Sequence, residues 1–473
     1  MTANAANRLG TEPVGRLLLR FSIPAITGMI VNALYNVVDR IWVGRGVNEI
    51  ALGGLSLVLP LMTITMAFSM LFGVGSANLI SMRLGQGRKA DAENALNHCF
   101  FLLFISALVI MAVEMVFLDQ ILERMGAEEG SSALDYSRRY YRIILYGQVF
   151  FMVGFGFSHC TRAQGFPTIT MLGMLIGAGM NMVLDPLFII TFGWGVEGAA
   201  WATIISQFVS MVWILSFNFS KKAVIRLGFA RAKSDSHTFR PSARIVLDIM
   251  SFGSSQFLLQ FVMSSVQFIF NKSMGWYGSA MLGEGGGDIA LSGLNITMSI
   301  GMLFFMPIFG INQGAQPILG FNYGAKQFDR VRKTFLLAIS GATTICLLGF
   351  TLGQLFPHFL VRLFAPQGSP ALLHFAPLAL RVMMITMPLN GFTIVATNFF
   401  VVTGRPRTSI FLSMLRQFIA LIPCILIFGR LWGLWGVVFA TPVADSFSFI
   451  CTGLMIVGEL RKLRASHEVQ HPS

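Results

Sequence analysis

Charge is scarce in this 473-residue chain: only 12% of its residues are Asp, Glu, Lys or Arg, against about 25% in a water-soluble domain. A chain so poor in charge cannot clothe itself in a hydrated surface. Cysteine is sparse too. Cys99, Cys160, Cys346, Cys424 and Cys451 stand singly in apolar runs, with no CxxC pair; this gives neither a disulfide framework nor a zinc site and leaves them as packing residues. The seven histidines show no metal-ligand spacing. There is no GxxxxGK(S/T) phosphate loop, no HExxH and no GxSxG elbow. Without a catalytic constellation the chain is not expected to be an enzyme or to need a bound cofactor. Any work it does has to draw on an ion gradient rather than on ATP.

What the sequence has in abundance is apolar length. Hydrophobic residues make up 55% and the mean hydropathy is +0.70. A bilayer core takes about 20 apolar residues per helical crossing, and runs of that length recur from end to end. Gly, Pro and charge interruptions divide them into twelve predicted helices at 15–43, 49–80, 93–118, 136–160, 166–190, 195–220, 244–276, 287–320, 331–356, 372–400, 407–428 and 432–460. Arg8, Arg16 and Arg20 precede the first run with no small-residue cleavage site, so that run reads as a retained helix rather than a signal peptide.

The net charge of +13 could suggest nucleic acid, but the basic residues fall in alternate short connections and act as topology signals. Arg83, Arg88 and Lys89; Arg162; Lys221 to Arg244; Lys326, Arg330, Arg332 and Lys333; Arg405 and Arg407; and Arg461, Lys462 and Arg464 occupy one set. The positive-inside rule makes that set cytoplasmic and puts both termini on the cytoplasmic side of a cell inner membrane. The opposite set carries Asp119, Glu123, Glu128, Glu129, Asp135, Glu197, Glu284 and Asp288, with Arg40, Arg45, Arg362 and Arg430 as exceptions.

The halves repeat. Ile50-Ala51-Leu52-Gly53-Gly54-Leu55 answers Ile289-Ala290-Leu291-Ser292-Gly293-Leu294, and Gly87-Arg88-Lys89 answers Gly324-Ala325-Lys326. Gly165-Phe166-Pro167 answers Gly404-Arg405-Pro406, and Trp194-Gly195 with Gly198, Ala202 and Thr203 answers Trp432-Gly433 with Gly436, Ala440 and Thr441. Six crossings return the chain to its starting side, so the halves are expected to be related by an axis along the membrane normal. The predicted architecture is all-α and integral to the membrane: an amino-terminal six-helix bundle over 1–220, a cytoplasmic linker over 221–243 and a carboxy-terminal six-helix bundle over 244–473. Each chain is expected to work as a monomer with membrane lipid around it and no nucleic-acid partner.

A carboxylate at mid-helix costs roughly 2.5 to 3.5 kcal/mol on insertion scales, so each one calls for a partner or a task. Asn32, Tyr35, Asn36 and Asp39 share a face of the first helix. On the fifth, Asn181 and Asp185 stand one turn apart before Pro186, which has no amide N–H to donate and so frees a carbonyl. Asp39, Asp185 and Thr203 of the sixth helix are predicted at similar depth. Two carboxylates with amide, hydroxyl and carbonyl oxygens suit Na⁺; the same pair without a cation would hold a proton. The competing reading is local: Asp39 ends a helix beside Arg40, and Asp185 caps a turn. The second half places Phe268 and the apolar stretch near Pro423 at the matching positions, so any coupling site belongs to the first half alone.

Asp445 is predicted near mid-membrane with Arg416 and Arg381 at comparable depth, either as a buried ion pair or as a protonation switch. Gln256, Gln260, Ser264 and Gln267 form a polar face of the seventh helix that belongs on a cavity rather than on lipid. With Asn32 and Met29 they are the candidate lining for an organic cargo, for which 44 Phe and 27 Met supply stacking and polarizable surface.

Several stretches resemble the multidrug and toxic compound extrusion (MATE) family, in its MepA-like branch. They are Leu9-Gly10-Thr11-Glu12-Pro13, Phe21-Ser22-Ile23-Pro24, the run Asn32 to Asp39, Arg162-Ala163-Gln164-Gly165-Phe166-Pro167 and Asn181-Met182-Val183-Leu184-Asp185-Pro186. The resemblance implies two six-helix bundles that exchange Na⁺ or H⁺ for drugs, often aromatic and cationic. It also implies an ion site at the positions matched here by Asp39, Asn181, Asp185 and Thr203. Ser158-His159-Cys160 departs from the family pattern, which leaves the end of the fourth helix without an implied role. A flippase for lipid-linked substrates is the competing function.

Overall fold

The computed structural model describes residues 8–47, 54–55, 57–124, 132–228, 240–283, 285–366 and 368–470. Among these there is no β-strand. The spans are α1 (Val14–Gly46), α2 (Leu59–Gly85), α3 (Lys89–Arg124), α4 (Ser132–Ala163), α5 (Pro167–Pro186, prolonged by a π-helical turn Leu187–Thr191), α6 (Gly195–Phe219), α7 (Ala243–Leu282), α8 (Gly286–Gly324) and α9 (Phe328–Leu355). A short helix Pro357–Phe364 follows. Next come α10 (Pro370–Met384, bent by 47° into Met387–Val402) and a helical stretch Pro406–Arg461.

By length and composition ten helices can cross a bilayer, and the bent α10 makes an eleventh. Pro406–Arg461 is 56 residues long, about twice what a bilayer with its headgroups takes at 1.5 Å per residue. It breaks at Gly433, whose φ of 59° and ψ of −136° no helix contains. Residues 406–432 are therefore α11 and residues 434–470 are α12, which brings the spans among the described residues to twelve. The sequence motif Ile50 to Gly53 and the acidic Glu128 and Glu129 lie outside the described residues, as do Arg231, Lys233 and Glu284.

Backbone geometry repeats between the halves at the paired motifs. Gly165 and Gly404 turn the chain at φ of 97° and 80°, and the proline two residues on starts α5 or α11, where its missing N–H costs nothing. Gly195 and Gly433 both sit at positive φ. The repeat also corrects one pairing made on sequence. The turn that follows α2 has its left-handed residue at Gly87, and the turn after α8 has it at Lys326, with φ of 73° and 59°. Gly87 thus answers Lys326, and Gly85 answers Gly324; the run of glycine and basic residues had suggested a register two residues away.

Two compact units result: Met1–Pro13 with Ile23–Phe257 and Gly320–Lys326, and Val14–Ser22 with Leu258–Leu319 and Gln327–Ser473. Within the first, α3 turns an apolar stripe inward: Leu96, Leu103, Ala107, Ile110, Leu118 and Leu122 are all buried. Val116 and Val113 on its other side are 70% and 49% exposed, as expected of a surface solvated by lipid tails. Also within the first unit, α2 and α7 approach so closely at Gly75 and Gly253 that a Cβ on Gly253 would overlap the Leu71 carbonyl. The second unit has its own core around Val266, Phe270, Met274, Leu294, Leu434 and Val438.

Candidate functional site

Asp185 is the last residue but one of α5 and fully buried. Pro186 after it keeps helical dihedrals (φ −61°, ψ −33°), but the following turn widens to a π turn over Leu187–Thr191. A π turn interrupts the ordinary ladder, and such turns gather at functional positions. Pro186 also withholds an amide from the Met182 carbonyl one turn earlier. The widened turn serves as the seat for α6: a Cβ on Gly198 would stand 2.8 Å from the Phe188 carbonyl carbon, so only glycine lets α6 come this near. That contact holds Thr203, little more than a turn further along α6, beside α5.

The polar side chains meet here. Asn181 Nδ2 donates to Asp185 Oδ1 at 3.2 Å and lies 3.4 Å from Thr203 Oγ1. Asn181 is 1% exposed and Thr203 5%, and the Asn181 Oδ1 atom is buried without a hydrogen bond. From α1, the carboxyl groups of Asp39 and Asp185 stand within hydrogen-bonding reach of each other. Two carboxylates are both acceptors, so this approach requires a proton or a cation between them. Tyr35 shares a hydrogen bond with Thr203 and lies near both carboxyls. The Asn36 side chain lies outside the described residues.

Tyr140 completes the cluster and escaped the sequence reading. It is 5% exposed, shares a hydrogen bond with Thr203 and lies near Asp39, Tyr35 and Asp185. It belongs to Ser137-Arg138-Arg139-Tyr140-Tyr141-Arg142, whose arginines give the segment the look of a solvated helix end. The arginines turn away, Arg138 to Asp119 and Arg139 to Glu197, each at 2.7 Å.

In the second unit Asp445 is 3% exposed and accepts from three donors: Arg416 Nε at 2.7 Å, Asn390 Nδ2 at 2.8 Å and Thr386 Oγ1 at 3.1 Å. Arg416 sits in a second π-helical segment, Leu415–Leu421. The expectation that Arg381 joins this pair is corrected. Arg381 is exposed, and its Nε donates to the Gln354 carbonyl at 3.2 Å while Gln354 Nε2 returns a bond to the Arg381 carbonyl at 2.8 Å. The bend of α10 explains the difference: Thr386 at the break faces Asp445, and the turn before it points elsewhere.

Of the candidate cargo residues, Asn32 and Gln267 are exposed and Met29, Gln256 and Gln260 half-buried. Gln267 Nε2 donates to Asn271 Oδ1 at 2.8 Å. His159 and Arg162 at the end of α4 are both buried, with Arg162 Nη2 2.8 Å from His159 Nδ1.

Twelve apolar helices among the described residues, with carboxyl, amide and hydroxyl groups from different helices gathered inside a bundle, define a multi-pass helical membrane protein. Comparison with known proteins makes the class specific. The MatE family model matches residues 24–187 and 257–426, and the chain belongs to that family of multidrug and toxic compound extrusion transporters. Multidrug export protein MepA of Staphylococcus aureus (strain MRSA252) is 26% identical over 448 residues, covering 94% of each chain. The fold is similar to that of an outward-facing multidrug resistance MATE transporter of the MOP superfamily, with a TM-score of 0.87 and 27% identity over 97% of this chain and 98% of the other. It is equally similar, at a TM-score of 0.87 and 26% identity over the same shares, to a MOP superfamily transporter from Pyrococcus furiosus described as having a binding pocket of reversed polarity.

Proposed function

We propose that the chain is a secondary active antiporter of the cell inner membrane, with both termini cytoplasmic, that exports organic and often cationic aromatic compounds. The coupling ion, Na⁺ or H⁺, is taken up at Asp39, Asn181, Asp185 and Thr203, with Tyr35 beside them. One observation carries the reading: carboxyl groups from α1 and α5 approach within hydrogen-bonding reach inside the bundle, an arrangement whose energy depends on a positive charge between them. With the charge in place, α1, α5 and α6 are tied through one cluster. When it leaves, the carboxylates repel and α1 is free to shift. A cationic cargo stabilised in the shifted state competes with the ion, which is the linkage that exchange needs. The similarity to MepA, a multidrug export protein, supports the cargo class.

The test uses proteoliposomes loaded with ethidium. A Na⁺ jump or a pH jump is expected to drive dye across the bilayer in the wild-type protein, and Asp185→Asn is expected to abolish the response to either. Equal dye movement in the variant removes the coupling role. Scrambling of a fluorescent lipid with no dye movement by either protein would favour the flippase.

A further inference from the structure

The first unit buries a second carboxyl group that the coupling site does not use. Glu114 lies on the inward stripe of α3, between Ile110 and Leu118, and is 4% exposed. Its neighbours come from two further helices: Thr65 on α2, and Tyr141 and Gln148 on α4, exposed by 5%, 1% and 4%. The Tyr141 hydroxyl donates to Glu114 Oε2 at 3.0 Å and Gln148 Nε2 donates to the same oxygen at 3.1 Å. Gln148 Nε2 also donates to Thr65 Oγ1 at 2.7 Å. Apolar side chains close the cluster above and below, Leu61, Leu118, Leu122 and Leu145 on one side and Ala107, Ile110 and Met152 on the other.

Two features of this cluster call for a proton. Both donors use one carboxyl oxygen, while the other, Oε1, is buried with no partner, and so is Gln148 Oε1. Two buried acceptors in touching residues lack a donor, and a proton on Glu114 is the donor they lack. The second feature is charge. Among the described residues no Lys, Arg or His pairs with Glu114. On α4, Arg138 and Arg142 turn to Asp119, and Arg139 turns to Asp135 and Glu197. On α2 the one charged residue, Arg83, stands at the far end with Asp248, and on α3 the nearest charge is the arginine-bound Asp119. Tyr141 faces Glu114 directly, and its neighbour Tyr140 faces the coupling site.

We infer that Glu114, held by Thr65, Tyr141 and Gln148, is a second proton-binding site, separate from the carboxyl pair of α1 and α5. This goes beyond the proposed coupling site and does not depend on it: Glu114 takes its proton whether Asp39 and Asp185 hold Na⁺, H⁺ or neither. Adjacent tyrosines on α4 link the two, so the proton on Glu114 reports on the position of the helix that also touches Thr203.

Infrared difference spectroscopy of the purified full-length protein, in the carbonyl-stretch region of protonated carboxyl groups, tests this across an acid to alkaline titration. A carboxyl band is expected in the wild type, lost in Glu114→Gln and kept in Asp185→Asn. In Tyr141→Phe, which removes one donor while leaving the acid, the same band is expected at higher wavenumber. The Tyr141 variant keeps the proposal testable if Glu114→Gln does not fold. An unchanged spectrum in Glu114→Gln would overturn the inference, and so would a band that Na⁺ at constant pH removes only when Glu114 is present, since the ligand would then be the metal. A band absent from Asp185→Asn and intact in Glu114→Gln would assign the proton to the coupling pair and leave the proposed antiporter standing.

Discussion

Replacing Arg416 with alanine should harm the protein more than replacing its partner Asp445 with asparagine, and the structure sets the size of the difference. Asp445 is almost wholly buried, and Arg416 retains 24% of its side-chain exposure. Arg416→Ala strands a carboxylate inside the unit with only Thr386 and Asn390 as donors. Leaving a buried charge without its partner costs about 3 to 5 kcal/mol, and two remaining hydrogen bonds to the charged oxygen put the loss at the lower end, about 3 kcal/mol. Asp445→Asn removes the charge at constant volume. The guanidinium it abandons is only part-buried, at 24% exposure, and the cost falls to about 1 kcal/mol. The double variant Arg416→Ala with Asp445→Asn has no stranded charge and should lose about as much as Asp445→Asn alone, a coupling of about 3 kcal/mol. Thermal unfolding of the four purified proteins in one detergent measures the ranking. Equal losses in the two single variants, or a double variant that loses their sum, would refute the account of Asp445 as a carboxylate held by its arginine.

Lys326 holds a left-handed conformation at an exposed turn, which costs a residue with a Cβ about 1 kcal/mol; Lys326→Gly should therefore raise the unfolding temperature, and a fall would show that the side chain contributes more than its backbone costs. Gly253→Ala should lower stability by about 1 to 3 kcal/mol through overlap with the Leu71 carbonyl. Gly453, mid-helix in α12 with nothing within 4 Å of where an added methyl would stand, is the control, and its alanine variant should gain up to about 1 kcal/mol. Indistinguishable unfolding curves for the two alanine variants would contradict the close approach of α2 and α7.

How much of this was legible in the residues differs by element. The spans were, because the bilayer demands length and apolarity, and the ladder of apolar runs supplies both. Asp39, Asn181, Asp185 and Thr203 were legible as candidates because each breaks an apolar run, and Pro186 marks where the backbone must yield. Glu114 was not. It occupies one position on a stripe of leucine and isoleucine, close enough to Asp119 and Glu123 to pass for part of an acidic helix end. Tyr140 and Tyr141 were hidden by three arginines whose outward turn depends on partners in other helices. Arg381 failed for another reason: depth counting assumes a straight helix, and the 47° bend of α10 sends residues on its two sides in different directions.

The consecutive tyrosines of α4 carry a mechanical consequence. Neighbouring residues on a helix point about 100° apart, so Tyr140 and Tyr141 grip separate clusters from a single rigid rod. A roll of α4 about its own axis therefore moves the phenol beside Thr203 and the phenol bonded to Glu114 together. The fourth helix is thereby a single rod that reaches two buried carboxyl clusters, with no loop or hinge between its two phenols.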